Sequence, residues 1–245
     1  LIKYGERFYR DFSGSARWTT FRVKVETTDL YVRATGDFTA QIRSITERLR
    51  EQLRAHIERQ DPFLSSFTPV PRLDIVPEVV TRMYHASELA GVGPMAAVAG
   101  TIAALIGEEI SPECDELVIE NGGDIWLSVR EPVTMGIFAG YSKFSGRLGI
   151  RITPENTPLG ICCSSGKYGH STSFGRADAV TVFSGDAALA DAVATEASNR
   201  VKREEDLPAA LEYAMAVRGV TGILAVMGDS LAVRGNVELI EAGEG

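Results

Sequence analysis

The spacing of hydrophobic residues changes several times along this 245-residue chain, and each change predicts an element. Phe21, Val23 and Val25 alternate with polar residues, and Leu30-Tyr31-Val32 resumes after Thr27-Thr28-Asp29, which predicts a β-hairpin. The apolar spacing then lengthens. Ile42, Ile45, Leu49, Leu53 and Ile57 mark one face of a helix capped by Asp37 or Thr39 and ended by Asp61-Pro62. Its outer face mixes Arg43, Arg48, Arg50, Arg54 and Arg59 with Glu47, Glu51 and Glu58, the pattern of a solvated, salt-bridged surface. Pro62, Pro69, Pro71 and Pro77 make 61–77 a connection. A helix is expected over 77–90, stopped at Gly91-Val92-Gly93, and a second from Pro94 to Gly107. This second helix is small-sided nearly all round and therefore buried. Leu117-Val118-Ile119 and 125–129 read as strands about the turn Glu120-Asn121-Gly122-Gly123-Asp124, with further short strands near 133–139, 148–152, 159–163 and 180–183. Helices over 186–202 and 207–217 follow, and the chain ends in a small meander over 222–227, 231–233 and 237–240. Helices flanked by hairpin strands, without strict β-α alternation, place the chain in the α+β class. No internal repeat divides it, and residues 1–245 read as one domain.

Composition narrows the partners. The chain is 44% hydrophobic and 24% charged, as globular domains are, and its formal net charge is -8. That balance disfavours nucleic acid, which needs clustered Lys and Arg. No apolar run is long enough to span a membrane, and no basic-then-apolar leader opens the chain. A first residue Leu1 in place of Met leaves open a leader removed before it. The three cysteines, Cys114, Cys162 and Cys163, are odd in number and two are adjacent, so they fit a reducing, cytoplasmic setting better than a disulfide framework.

Candidate chemistry gathers between Ser164 and Glu196. Asp191 and Thr195 stand four residues apart in an Ala-rich helix, hence on one face and one turn from each other. A carboxylate and a hydroxyl in this arrangement suit a hard cation such as Mg²⁺. A local hydrogen bond from each is the blander use of the same pair. The preceding loop carries Ser165, Gly166, Lys167, His170 and Arg176, whose amides and cations suit a phosphate, although a solvated surface loop has the same composition. It is not a Walker A loop, because Lys167 is followed by Tyr168 instead of Ser or Thr. Gly122 and Gly123 allow either a plain hairpin or close approach of a ligand, with Glu120 or Asp124 beside it. Adjacent Cys162 and Cys163 face opposite sides of a strand, which makes them poor joint ligands for one metal. A thiol nucleophile paired with His170 rests on proximity in sequence alone.

With those residues in view, the chain resembles the ApbE superfamily, in its prokaryotic branch of unknown function. The likeness runs from about Gly93 to Asn199. Glu120-Asn121-Gly122-Gly123-Asp124-Ile125 is similar to the family's Gly-Gly-Asp turn, and Asp191-Ala192-Val193-Ala194-Thr195 to its metal-binding Asp-Ala-x-Ala-Thr. Ser165-Gly166 sits where the family has Ser-Gly before its flavin-site loop. The resemblance implies an ApbE-like, T-fold-like α+β domain of mixed sheets with packed helices. It implies Mg²⁺ held by Asp191, Thr195 and the Ala97 carbonyl, and FAD or another flavin nucleotide as ligand. It implies transfer of FMN to an acceptor protein, or cleavage of the FAD pyrophosphate, and leaves room for a homodimer. Pro94-Met95-Ala96-Ala97-Val98-Ala99 departs from the family's Lys-Gly-x-Ala-x-Asp, and a His-x-x-Asp-Pro-x-Thr-Gly segment is missing. The alternative expectation is therefore a flavin- or nucleotide-binding protein without catalysis.

Overall fold

The computed structural model of the chain describes residues 17–166 and 174–241. The alternating stretch near the start is a hairpin of β1 (Thr19–Val25) and β2 (Thr28–Ala34), in which Val23 pairs with Leu30 and both are fully buried. Helix α1 (Thr39–Arg59) follows. Asp37 Oδ1 accepts from the backbone N–H and the hydroxyl of Thr39, at 2.9 and 2.6 Å, and so anchors the first turn. Ile42, Ile45, Leu49 and Leu53 are buried as their spacing predicts. In the last turn His56 goes inward instead of Ile57, with its Nε2 3.0 Å from Tyr84 Oη. Pro62 does more than end this helix. It starts a single further turn, α2 (Pro62–Ser65), because proline is pre-organised for a first helical position.

Helix α3 (Glu78–Ala90) closes on Gly91, whose φ of 74° lets its amide donate to Ser87 O. The small-sided segment after Pro94 is one run in sequence and two elements in space. A 3₁₀ turn over Pro94–Ala97 leads into α4 (Val98–Ile110). Strands β3 (Leu117–Asn121) and β4 (Asp124–Ser128) meet at Gly122 and Gly123, whose φ values of 74° and 112° favour glycine. After β5 (Val133–Gly136), β6 (Leu148–Ile152), β7 (Leu159–Ser164) and β8 (Ala179–Ser184) comes α5 (Ala187–Arg200). Asp186 caps α5, its Oδ1 accepting from Ala188 N at 2.9 Å and Leu189 N at 3.4 Å. Helix α6 (Leu207–Ala216), β9 (Val220–Met227), β10 (Ser230–Gly235) and β11 (Glu238–Glu241) complete the chain.

Eight strands form one sheet in the order β1-β2-β3-β4-β7-β8-β9-β10, and three form a second in the order β11-β6-β5. Every described pairing is antiparallel. The α+β class holds. The expected C-terminal meander does not, because β11 leaves β10 and pairs with β6, Leu239 opposite Ile150. Gly235, at φ 85°, turns the chain there, and Leu239 then packs into the second core.

The helices cover one face of the large sheet and the small sheet covers part of the other. Strand β7 shows both faces. Gly160 and Cys162 point to the helices, while Leu159, Ile161 and Cys163 point to the small sheet. Two glycines let α5 sit close: a Cβ on Gly160 would lie 2.4 Å from Ala187 Cα, and one on Gly100 would lie 2.2 Å from Ala187 O. This close packing fixes the first turn of α5 against both β7 and the start of α4.

Candidate functional site

The ends of β3, β4 and β7 that carry Asn121, Asp124 and Ser164, together with Asp178 just before β8, open onto a cleft of about 2050 Å³. The cleft runs from α4 and α5, past those strand ends, to the wall formed by β5 and β6. Asp191 and Thr195 both border it from α5, as their spacing predicts, and so does Asn199 one turn further on. Asn199 Oδ1 accepts from Phe174 N at 2.8 Å and holds the returning loop against the helix.

Asp191 is set by two opposing influences. Its Oδ2 accepts from Gly100 N at 2.9 Å, in the first turn of α4, where amides favour negative charge. Burial, and then the nearby Asp124 carboxylate, nevertheless push the Asp191 carboxyl well above the usual carboxylate range. Asp124 is itself buried, with its Oδ1 accepting from Cys163 N at 3.2 Å. Asn121 Nδ2 donates to Ala99 O at 3.1 Å and so ties the end of β3 to the same helix start. The opposition of Asp124 and Asp191 has no signature in sequence spacing, because it forms between a strand end and a helix far along the chain.

Of the remaining expected residues, Gly122 and Gly123 border the cleft, and Gly123 N donates to Glu120 Oε1 at 3.0 Å. Ser165 borders it too, its hydroxyl donating to Ala177 O at 3.4 Å. Gly166 N donates to Ala177 O at 3.0 Å, and a Cβ on Gly166 would lie 2.3 Å from Gly175 O, so this pair of glycines lets the two backbones come close. Lys167 and His170 lie outside the described residues. Arg176 is exposed and stands outside the cleft lining, with its backbone N–H given to Val201 O. Ala97 is fully buried, and its carbonyl accepts from Thr101 Oγ1 at 2.5 Å. Ser164 and Asp178 fall within the stretch singled out in the sequence, which gave neither of them a role. Asp178 borders the cleft and its Oδ2 accepts from Gly228 N at 2.7 Å.

The cysteines do face opposite sides of β7. Cys162 Sγ donates to Ala187 O at 3.3 Å, and burial raises its thiol pKa well above the ordinary value. Burial also pushes the Cys163 thiol up to about 11, so both stay protonated near neutral pH and neither is poised as a nucleophile. Among the described residues, no group of three or more His, Cys, Asp or Glu is gathered as a metal cage. No single described helix is long and apolar enough to cross a membrane.

Among solved structures, the fold matches the flavinyl transferase ApbE of Pseudomonas stutzeri in its apo form. The TM-score is 0.59 at 13% sequence identity, over 89% of this chain and 94% of that one. A mutant of the flavin transferase ApbE from Vibrio cholerae matches with TM-score 0.56 at 12% identity, over 89% and 97% of the two chains. The class is thus an ApbE-like α+β protein, a likeness of fold at these identities. The chain belongs to the family described as AbpE bacteria, whose model matches residues 10–225. Two relatives are similar along most of its length. A UPF0280 protein of Methanocaldococcus jannaschii is 36% identical over 231 residues, 91% of this chain and 94% of the relative. A UPF0280 protein of Methanocella arvoryzae is 42% identical over 194 residues, 79% of each.

Proposed function

We propose that the cleft binds a flavin nucleotide, or a related phosphorylated ligand, together with Mg²⁺ held by Asp191 and Thr195. The observation that carries this reading is the stacked Asp191–Thr195 pair bordering a cleft far larger than the ~300–1,000 Å³ of ordinary small-ligand sites. The fold, shared with proteins named as flavin transferases, supports it.

The donor set suits a hard cation. Mg²⁺ is commonly bound through one or two carboxylates with substrate phosphates and water as the remaining ligands, so a carboxylate and a hydroxyl are a sufficient share from the protein. Two carboxylates in shared burial repel each other, and a cation beside Asp191 and Asp124 relieves that repulsion. The Gly100 and Ala99 amides at the start of α4 hold the Asp191 carboxylate at the cleft, and the remaining lone pairs of its oxygens are the ones a cation would use. When bound, the cation supplies a Lewis acid and a template for phosphate oxygens. The chain's own residues orient the ligand. The Gly122-Gly123 turn gives it room, Asp124 borders it, and Ser165 and Gly166, both bonded to Ala177 O, directly precede Lys167 in sequence. Ala97 and Arg176 are the weakest members of the expected set, the first because its carbonyl is engaged by Thr101 and the second because it stands outside the cleft.

The chemistry this equipment serves best is transfer of FMN from FAD to an acceptor protein, or hydrolysis of the same pyrophosphate. Binding without turnover is the second reading. It is favoured by Ala99, which borders the cleft where the resemblance expects Asp, and by thiols held in their protonated form. Calorimetric titration of FAD with and without Mg²⁺ tests the site. Micromolar binding, about -8 kcal/mol, is expected in the presence of the metal and is expected to be lost in Asp191→Ala. Metal-independent binding that survives the substitution would refute the assignment. Release of AMP from FAD on prolonged incubation separates an enzyme from a binder.

A further inference from the structure

The structure assigns a role to Ser164: we propose that its hydroxyl donates a hydrogen bond to an oxyanion of the bound ligand, beside the cation site. This deepens the proposed function and rests on it. Ser164 ends β7, is only 4% exposed and borders the cleft. Its Oγ has no hydrogen-bond partner among the described residues. A buried hydroxyl left unpaired is costly and uncommon, and a ligand that completes it gives the residue a reason to be there.

Its position follows from the packing of β7 on α5. Gly160 abuts Ala187, and Cys162 Sγ reaches Ala187 O. Two residues of strand advance about 6.6 Å, and one turn of helix advances about 5.4 Å. Ser164 is therefore carried to the level of Asp191, one turn beyond Ala187, and alternation keeps it on the helix face. The residue before it is tied to the second carboxylate, Cys163 N donating to Asp124 Oδ1. Once ionised, Asp124 and Asp191 can only accept hydrogen bonds. An oxyanion that shares the cation with Asp191 needs a donor, and Ser164 is an uncommitted one at that level. Its neighbour Ser165 already gives its hydroxyl proton to Ala177 O. Rotation about χ1 between staggered positions suffices to aim the Ser164 hydroxyl.

The test uses the full chain with Mg²⁺, inorganic pyrophosphate as the first probe and FAD as the second. Ser164→Ala is expected to weaken both by about tenfold, the scale of one hydrogen bond to a charged group. The protein alone is expected to melt at the same temperature or higher, since the substitution removes an unpaired buried hydroxyl. Unchanged affinity for both probes would overturn the assignment, and so would a lost affinity accompanied by a lowered melting temperature, the mark of a structural role. If neither probe binds the unaltered protein, or if Asp191→Ala binds as well as it does, the site reading fails and Ser164 falls with it.

Discussion

Asp191 stands where an α4 amide favours its charge while burial and Asp124 oppose it. Because its carboxyl is raised in the fold, its contribution to stability is present below the ordinary carboxylate value near 3.9 and is lost as pH rises through the elevated one. Neutral pH lies above that ordinary value, so there the buried carboxyl costs the protein stability. Asp191→Asn, which can still accept from Gly100 N, is expected to melt higher than the parent at pH 7. A rise of about 2–4 °C corresponds to roughly 1 kcal/mol in a chain of this length. The advantage should shrink in acid, and calorimetric melting across pH reads both. The same substitution should remove Mg²⁺-dependent FAD binding, so stability and site function move in opposite directions. His56 carries the converse sign. Burial lowers its pKa, so its contribution is complete above the unfolded value near 6.5 and is lost as pH falls below it. Urea unfolding between pH 8 and 5 should show that loss, and His56→Gln should flatten it.

At the scale of elements, the contact of α4 with α5 is the part on which the site depends. Gly100 is the position where the two helices touch, and a Cβ there would lie 2.9 Å from Asp191 Cβ as well as 2.2 Å from Ala187 O. Gly100→Ala is expected to destabilise the protein by about 1–3 kcal/mol, as overpacked cores do. It should also weaken metal-dependent ligand binding, although residue 100 contributes only a backbone amide. Denaturant unfolding and calorimetry check the two effects separately, and an unchanged affinity would show that the contact does not position Asp191. The small-residue run after Pro94 marked this helix as buried, and small side chains fill space only when another backbone comes close. It did not reveal which glycine makes the contact or that its amide reaches a carboxylate.

Over the whole molecule, two sheets of different size and one layer of helices leave a cleft at the ends of β3, β4, β7 and β8, and the candidate ligand groups come from separate parts of the chain. Asp124 and Asp191 act on each other at the cleft of a protein of net charge -8, which makes a cation the natural mediator for any phosphate. FAD affinity should therefore fall on chelation of Mg²⁺ and return when the metal is restored. A titration that gives the same affinity in both conditions would sink that account.

Local periodicity determined most of the elements. The hairpin, α1, α3, α5 and the strands through β10 follow from spacing, turn residues and caps that act within a few residues of one another. The Asp191–Thr195 pair was legible for the same reason, since four residues along a helix always stack. Tertiary structure alone decided that β11 crosses to the small sheet, that Asp124 faces Asp191, and that Ser164 rather than Ser165 has a free hydroxyl beside them. These depend on strand register and on how closely two backbones approach. A shift of one residue in β7 would exchange Ser164 and Ser165 between its faces, and no local period records that choice.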